Sequence, residues 1–195
     1  SYITAPNEAK FKAIKYTLAD LDGAKEKEYT YYIQEEYDGQ KGVKYDDHTA
    51  TITVKVIDVG DGTLTVTYNN KQTYETPVFT NSYDATGEAK LYAQKANGGN
   101  LGSRAFTFVL SDGTQTLQTV TNVSAPNRAE FKTLSYTLKD LDGAKEKEFT
   151  YYIREVDDNQ LGVKYDDHTA TITVKVKDVG DGTLTVTYNN KQTYD

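Results

Sequence analysis

The sequence predicts an all-β protein built from tandem antiparallel β-sandwiches, and three observations predict it. Residues 1–75 and 121–195 are one sequence written twice, aligned without a gap at a constant offset, so that Tyr29 meets Phe149 and Gln34 meets Arg154. Apolar and polar residues alternate one by one through most of the chain, which is the period of a strand and not of a helix. The chain carries 17 Tyr and abundant Thr but no Trp, Met or Cys, a mixture that suits pleated, half-buried surfaces. The repeat is a unit of about 120 residues, the size of an ordinary domain and larger than a solenoid repeat.

The elements follow from parity. Residues 10–17 and 27–35 read as strands, with Asp20-Leu-Asp-Gly23 between them as a tight turn or a single helical turn. In 49–58, Ala50, Ile52, Val54 and Val56 point one way and Thr51, Thr53 and Lys55 the other, so one face is core and one is solvent. Leu64, Val66 and Tyr68 alternate with threonines in the same manner, and Val59-Gly-Asp-Gly62 between the two runs reads as a hairpin turn. Further strands are predicted at 77–83, 88–95, 104–111 and 116–122. Many short strands separated by turn signals specify an immunoglobulin-like antiparallel sandwich in each repeat.

Composition excludes several classes of function. A net charge of −7 argues against a basic groove for nucleic acid. No run of 18 apolar residues and no signal peptide is present, so this segment carries nothing that inserts into a membrane. Without Cys there is neither a disulfide nor a thiolate metal site, and the sequence implies no cofactor. The absence of Cys and Met also suits an oxidising, extracellular setting.

The informative residues are polar ones that fall on apolar faces. Tyr29, Tyr31 and Ile33 form a row that ends in Glu35, and Phe149, Tyr151 and Ile153 lead in the same way to Glu155. In 88–95 the core row is Leu91, Ala93 and Lys95, whereas Lys90 faces outward. In 77–83 the row Phe79, Asn81 and Tyr83 sets an asparagine between two aromatics. A charged residue at a strand end ordinarily reaches solvent, and a strand Asn ordinarily bonds to backbone. A Lys, a Glu and an Asn on the core sides of different strands instead suggest a cluster that shares protons and satisfies its own hydrogen bonds.

The runs Glu28-Tyr-Thr-Tyr-Tyr-Ile-Gln-Glu35, Gly42-Val-Lys-Tyr-Asp-Asp47, Thr51-Ile-Thr-Val-Lys-Val56, Asp61-Gly-Thr-Leu-Thr-Val66, Phe79-Thr-Asn-Ser-Tyr83 and Ala105-Phe-Thr-Phe108 resemble, in order, the Gram-positive pilin isopeptide-linkage domain of the streptococcal major-pilin and T-antigen type. The resemblance covers essentially the whole chain once a circular shift of phase is allowed. It implies that each domain joins its first strand to its last by an intramolecular Lys–Asn amide, formed without an added enzyme and assisted by a buried Glu. Lys95 stands at the family's lysine, although Lys95-Ala-Asn-Gly-Gly-Asn100 departs from the family's Lys-x-Leu-x-Gly. Asn81 matches the asparagine of Phe-x-Asn-x-Tyr, and Glu35 and Glu155 match the glutamate that ends Tyr-x-Tyr-x-(Ile/Val)-x-Glu. Burial disfavours charge on both Lys and Glu, leaving a neutral nucleophilic amine and a carboxyl able to polarise the Asn carbonyl and shuttle protons.

The phase of the repeat sets the domain expectation. Residues 1–83 are read as the C-terminal portion of one repeat domain and 84–195 as the next, lacking its last strand, with the boundary near 84–87. Glu35 and Asn81 then belong to the first domain and Lys95 and Glu155 to the second, so no Lys95–Asn81 bond is expected within one molecule. The partner strands come from outside this chain or from a neighbouring copy. The expected function is a structural repeat of a bacterial surface filament, pilus or adhesin stalk, with neighbouring repeats or filament subunits as partners and a cell-wall location by resemblance.

The alternatives are an immunoglobulin-like adhesive or ligand-binding module without a crosslink, and a calcium-stiffened repeat suggested by Asp20, Asp22, Asp58 and Asp61. The acidic residues fit turn chemistry better than a calcium loop ending in Glu. An enzyme is not expected beyond self-modification: His48 and His168 are repeat equivalents after Tyr-Asp-Asp that read as strand caps, with no Ser or Cys nucleophile motif nearby. The Asn122-Val-Ser124 sequon reads as chance, and Gly98-Gly99 precedes no helix that would make a phosphate cradle.

Overall fold

The computed structural model of the chain describes residues 7–96 and 98–189. Both outer ends of the expected domains, residues 1 and 195, lie outside them. Among the described residues fourteen strands run in chain order: β1 Glu26–Gln34, β2 Val43–Lys44, β3 Thr49–Asp58, β4 Leu64–Tyr68, β5 Ser82–Tyr83, β6 Thr86–Ala89, β7 Tyr92–Gln94, β8 Phe106–Ser111, β9 Thr116–Val123, β10 Arg128–Glu130, β11 Leu134–Thr137, β12 Glu146–Val156, β13 Thr169–Asp178 and β14 Leu184–Tyr188. Single 3-10 turns at Leu18–Leu21 and Leu138–Leu141 precede β1 and β12. In the second of them the Asp140 carboxylate accepts from the Thr137 N–H at 2.7 Å, which satisfies a donor that the short turn leaves over. The chain divides into two compact units, one of Ser1–Tyr37 with Tyr45–Thr80 and one of Asp38–Lys44 with Asn81–Asp195.

The second unit is a two-layered sandwich. One layer is the five-stranded sheet β14-β13-β12-β8-β9; the other is made of the short antiparallel pairs β11-β6 and β10-β7. Alternation is the cause: along β12, Phe149, Tyr151, Ile153 and Glu155 turn inward, while Glu148, Thr150 and Arg154 between them stay exposed and Tyr152 is half-buried. Their row packs with Ala89, Leu91, Phe106, Leu110, Ile172, Val174 and Val176 into one core. Gly87 permits the layers to meet at β14, since a Cβ there would lie 2.5 Å from the Leu184 carbonyl oxygen.

The first unit holds the three-stranded sheet β1-β3-β4, with registers equivalent to β12-β13-β14. The 59–62 hairpin forms as expected, with Gly60 and Gly62 at φ of 84° and 87°, a conformation glycine adopts without cost.

Three strand expectations are corrected. Residues 10–17 form no strand, because the segments that pair with their counterpart in the second unit, β6 and β7, have no equivalent among residues 1–75. The predicted strand 88–95 is two, β6 and β7, each pairing a different partner. Only Ser82–Tyr83 of the predicted strand 77–83 is extended and paired, to β2.

Candidate functional site

Lys95 and Glu155 meet inside the second unit. Lys95 follows β7, where the Leu91, Ala93, Lys95 row faces the core and the Lys95 N–H donates to the Asn127 carbonyl at 3.0 Å. Glu155 sits near the end of β12, opposite Phe108 of β8. That pairing extends β12 past the point where β1 stops, which explains why Glu155 lies within a strand and Glu35 just beyond one. Lys95 Nζ donates to Glu155 Oε1 at 2.7 Å, with side chains only 10% and 3% exposed.

The surroundings serve this pair. Lys95 Nζ lies 3.9 Å from the centre of the Phe106 ring, whose negative face favours a cation and whose bulk excludes water. The second Glu155 oxygen, Oε2, accepts from the Asp166 N–H at 3.3 Å. Asp166 Oδ1 in turn meets His168 Nδ1 at 2.8 Å, and His168, followed by weaker effects that include the Lys95 charge, holds the Asp166 carboxyl below its usual range. Lys95 and Glu155 are the only buried charged residues among those described.

Beside the pair opens a cavity of about 350 Å³, lined by Ala93, Lys95, Phe108, Ile153, Glu155 and His168 among others. Chemically, the site is a buried amine against a carboxyl, with room alongside for a further side chain. An amide-forming group placed there would find a nucleophile and a proton carrier in contact and shielded from water.

The remaining candidates lie elsewhere. Glu35 is half-buried at the end of the equivalent row. Asn81 is exposed, which corrects the expectation that it faces a core; among residues 1–75 there is no counterpart of the Lys95 strand for it to meet. It does not line the Lys95 cavity. Sequence reasoning gave the histidines a capping role and missed their contacts. His48 stacks on Phe79, ring centres 4.3 Å apart and planes within 16°, and Asp46 Oδ2 accepts from the Thr80 N–H at 2.8 Å. The signal available was the recurrence of Asp-Asp-His in both repeats at the same distance from Glu35 and Glu155.

The turn aspartates are engaged in their own loops. Asp58 accepts from the Gly60 N–H and Asp61 from the Thr63 N–H, at 2.8 and 2.9 Å. Among the described residues no group of His, Asp and Glu is arranged to hold a metal ion, and no helix is long and apolar enough to cross a membrane.

No curated protein matches the chain. A family model described as the Spy0128-like isopeptide containing domain, FctA, matches residues 2–84 and again 90–195. Two matches in tandem, covering nearly every residue of an all-β chain that buries a lysine against a glutamate, place this protein in the FctA family of isopeptide-containing domains.

Proposed function

We propose that the chain is a structural stretch of a Gram-positive surface filament, pilus or adhesin stalk whose repeats lock themselves with Lys–Asn amides. The observation that carries this reading is the buried contact of Lys95 with Glu155 beside an open cavity. In the reaction the Lys95 amine attacks the side-chain carbonyl carbon of an asparagine. The new C–N bond forms, the old carboxamide C–N bond breaks, and Glu155 carries a proton from the amine to the departing nitrogen, which leaves as ammonia. The step occurs once per domain, so the protein is not a turnover enzyme.

The domain boundary near 84–87 is part of the proposal, as is the assignment of Lys95 and Asn81 to different domains without a bond between them in one molecule. Closing a loop of roughly 100 residues contributes on the order of 4–5 kcal/mol in the chain-entropy view. Tension along the array would pass through the bond and leave the sheets between unloaded, a property a stalk at the cell surface needs.

The test is the intact mass of the chain extended at its C-terminus by a copy of the Phe-Thr-Asn-Ser-Tyr sequence of residues 79–83. One bond lowers the mass by about 17 Da, the ammonia released, and Lys95→Ala abolishes the loss. An unchanged mass in the folded wild-type protein would instead favour an adhesive module without a crosslink.

A further inference from the structure

The same short motif stands in two states in one chain. Asp46 and His48 of the first unit are occupied: Asp46 accepts the Thr80 N–H and His48 stacks on Phe79. Their side chains are 19% and 43% exposed, against 60% and 70% for Asp166 and His168, their counterparts. Within each pair the Asp–His contact is the same, at 2.5 and 2.8 Å. Only the guest differs. Phe79 and Thr80 immediately precede Asn81 in the Phe-Thr-Asn-Ser-Tyr run.

We propose that the Asp-x-His pair is a clamp that docks the asparagine-bearing strand, with Asp166 taking a backbone N–H and His168 an aromatic ring from a Phe-Thr-Asn segment. The inference rests on the isopeptide reading for its purpose but not for its geometry. His168 and Asp166 line the cavity that holds Lys95 and Glu155, and the Asp166 N–H bonds to the Glu155 carboxylate. In an extended segment the Phe and the Asn two residues on point to the same face, about 7 Å apart. A ring seated on His168 therefore sends the carboxamide to the side where Lys95 and Glu155 stand. The backbone bond to Asp166 fixes the register, so that the asparagine and not a neighbour reaches the amine. The guest is a Phe-Thr-Asn-Ser-Tyr segment drawn out as a strand, its first two residues carrying the backbone N–H and the ring already seated on Asp46 and His48. Asp166 and His168 act as positioning residues; Lys95 and Glu155 do the chemistry.

The test uses the chain with a synthetic peptide spanning residues 75–84, in its natural form and as the non-reacting Asn81→Ala form. Fluorescence anisotropy of the non-reacting peptide reads docking. Both substituted positions are solvent-exposed, and circular dichroism confirms folding of each variant. His168→Ala and Asp166→Ala each weaken docking about tenfold, the weight of an aromatic stack or a charge-assisted hydrogen bond. The losses are coupled to their guests: His168→Ala costs nothing further against a Phe79→Ala peptide, and Asp166→Ala nothing further against a Thr80→Pro peptide, which has no N–H to give. Unchanged docking in both variants, additive losses, or no docking to the wild-type chain would overturn the clamp. The natural peptide separates the two readings. Docking without a covalent adduct sinks the isopeptide reading and leaves the clamp standing, whereas adduct formation at wild-type rate in His168→Ala sinks the clamp alone.

Discussion

Replacing Glu155 by Ala strands Lys95 between Phe106 and an empty space, since its amine donates to the Glu155 carboxylate. Breaking a buried pair from one side costs about 3–5 kcal/mol, whereas replacing both partners with apolar residues of similar volume is close to neutral. Urea unfolding of the unbonded chain should therefore show Glu155→Ala well below wild type and the double variant Lys95→Met, Glu155→Leu near it. Asp46 gives a second residue-level prediction. The Thr80 N–H, and then His48, hold its carboxyl down to about 2 from an ordinary 3.8. A group more acidic when folded stabilises fully above its unfolded value and loses that contribution as pH falls through the folded one. The window is thus about pH 4 to about pH 2, and protection of the Thr80 amide from hydrogen exchange should fade across it. His48→Ala should raise the Asp46 midpoint in a carbon-detected titration; an unmoved midpoint would show that His48 contributes nothing to it. Parity along single strands was enough to find Lys95 and Glu155 in the sequence. The histidine contacts were not legible that way, because Asp46 and Thr80 are 34 residues apart and no local pattern joins them.

Among the elements, the two hairpins of identical sequence after β3 and β13 form a natural controlled experiment. Gly62 and Gly182 have φ of 87° and 82°, so an Ala at either incurs the same backbone penalty of about 1 kcal/mol. A Cβ at Gly62 meets nothing within 4 Å, but at Gly182 it would lie 2.7 Å from the Gly42 Cα. Gly182→Ala should accordingly lose a further 1–3 kcal/mol or so through overpacking, read as the difference between the two variants in urea unfolding. Equal losses would mean the contact yields freely. Strand β3 was legible to the residue and β4 to within one, because both their faces and their turn are written locally. Residues 10–17 and 77–81 were not, because whether an extended segment becomes a strand depends on a distant partner. Residues 128–137 have β7 and β6 to pair with β10 and β11; residues 10–17 carry the same local pattern, but no counterparts of β6 and β7 lie among residues 1–75.

At the scale of the whole molecule the two units bury unequal cores. Among the described residues, Leu21, Ile52, Val54 and Val56 are the buried cluster of the first, whereas seventeen residues form that of the second. Phe11 is 72% exposed while its counterpart Phe131 is 5%. Hydrophobic stabilisation scales with the area removed from water, so the first unit should open at lower denaturant than the second. Unfolding followed by hydrogen exchange should show two protection classes, with β1, β3 and β4 exchanging before β12, β13 and β8. A single cooperative transition shared by all these strands would contradict it. The arrangement of Glu155 carries a consequence of another kind. The carboxylate is delivered to Lys95 by the pairing of β12 with β8, two strands separated by β9, β10 and β11 in the chain. The Lys95–Glu155 contact exists only after that distant pairing is made, so under the proposed reaction a misfolded unit would have no means of sealing itself. The proposed amide would then act as a one-way ratchet, set by correct folding and thereafter preserving it. Each sealed repeat would be a permanent mark that its chain had been inspected.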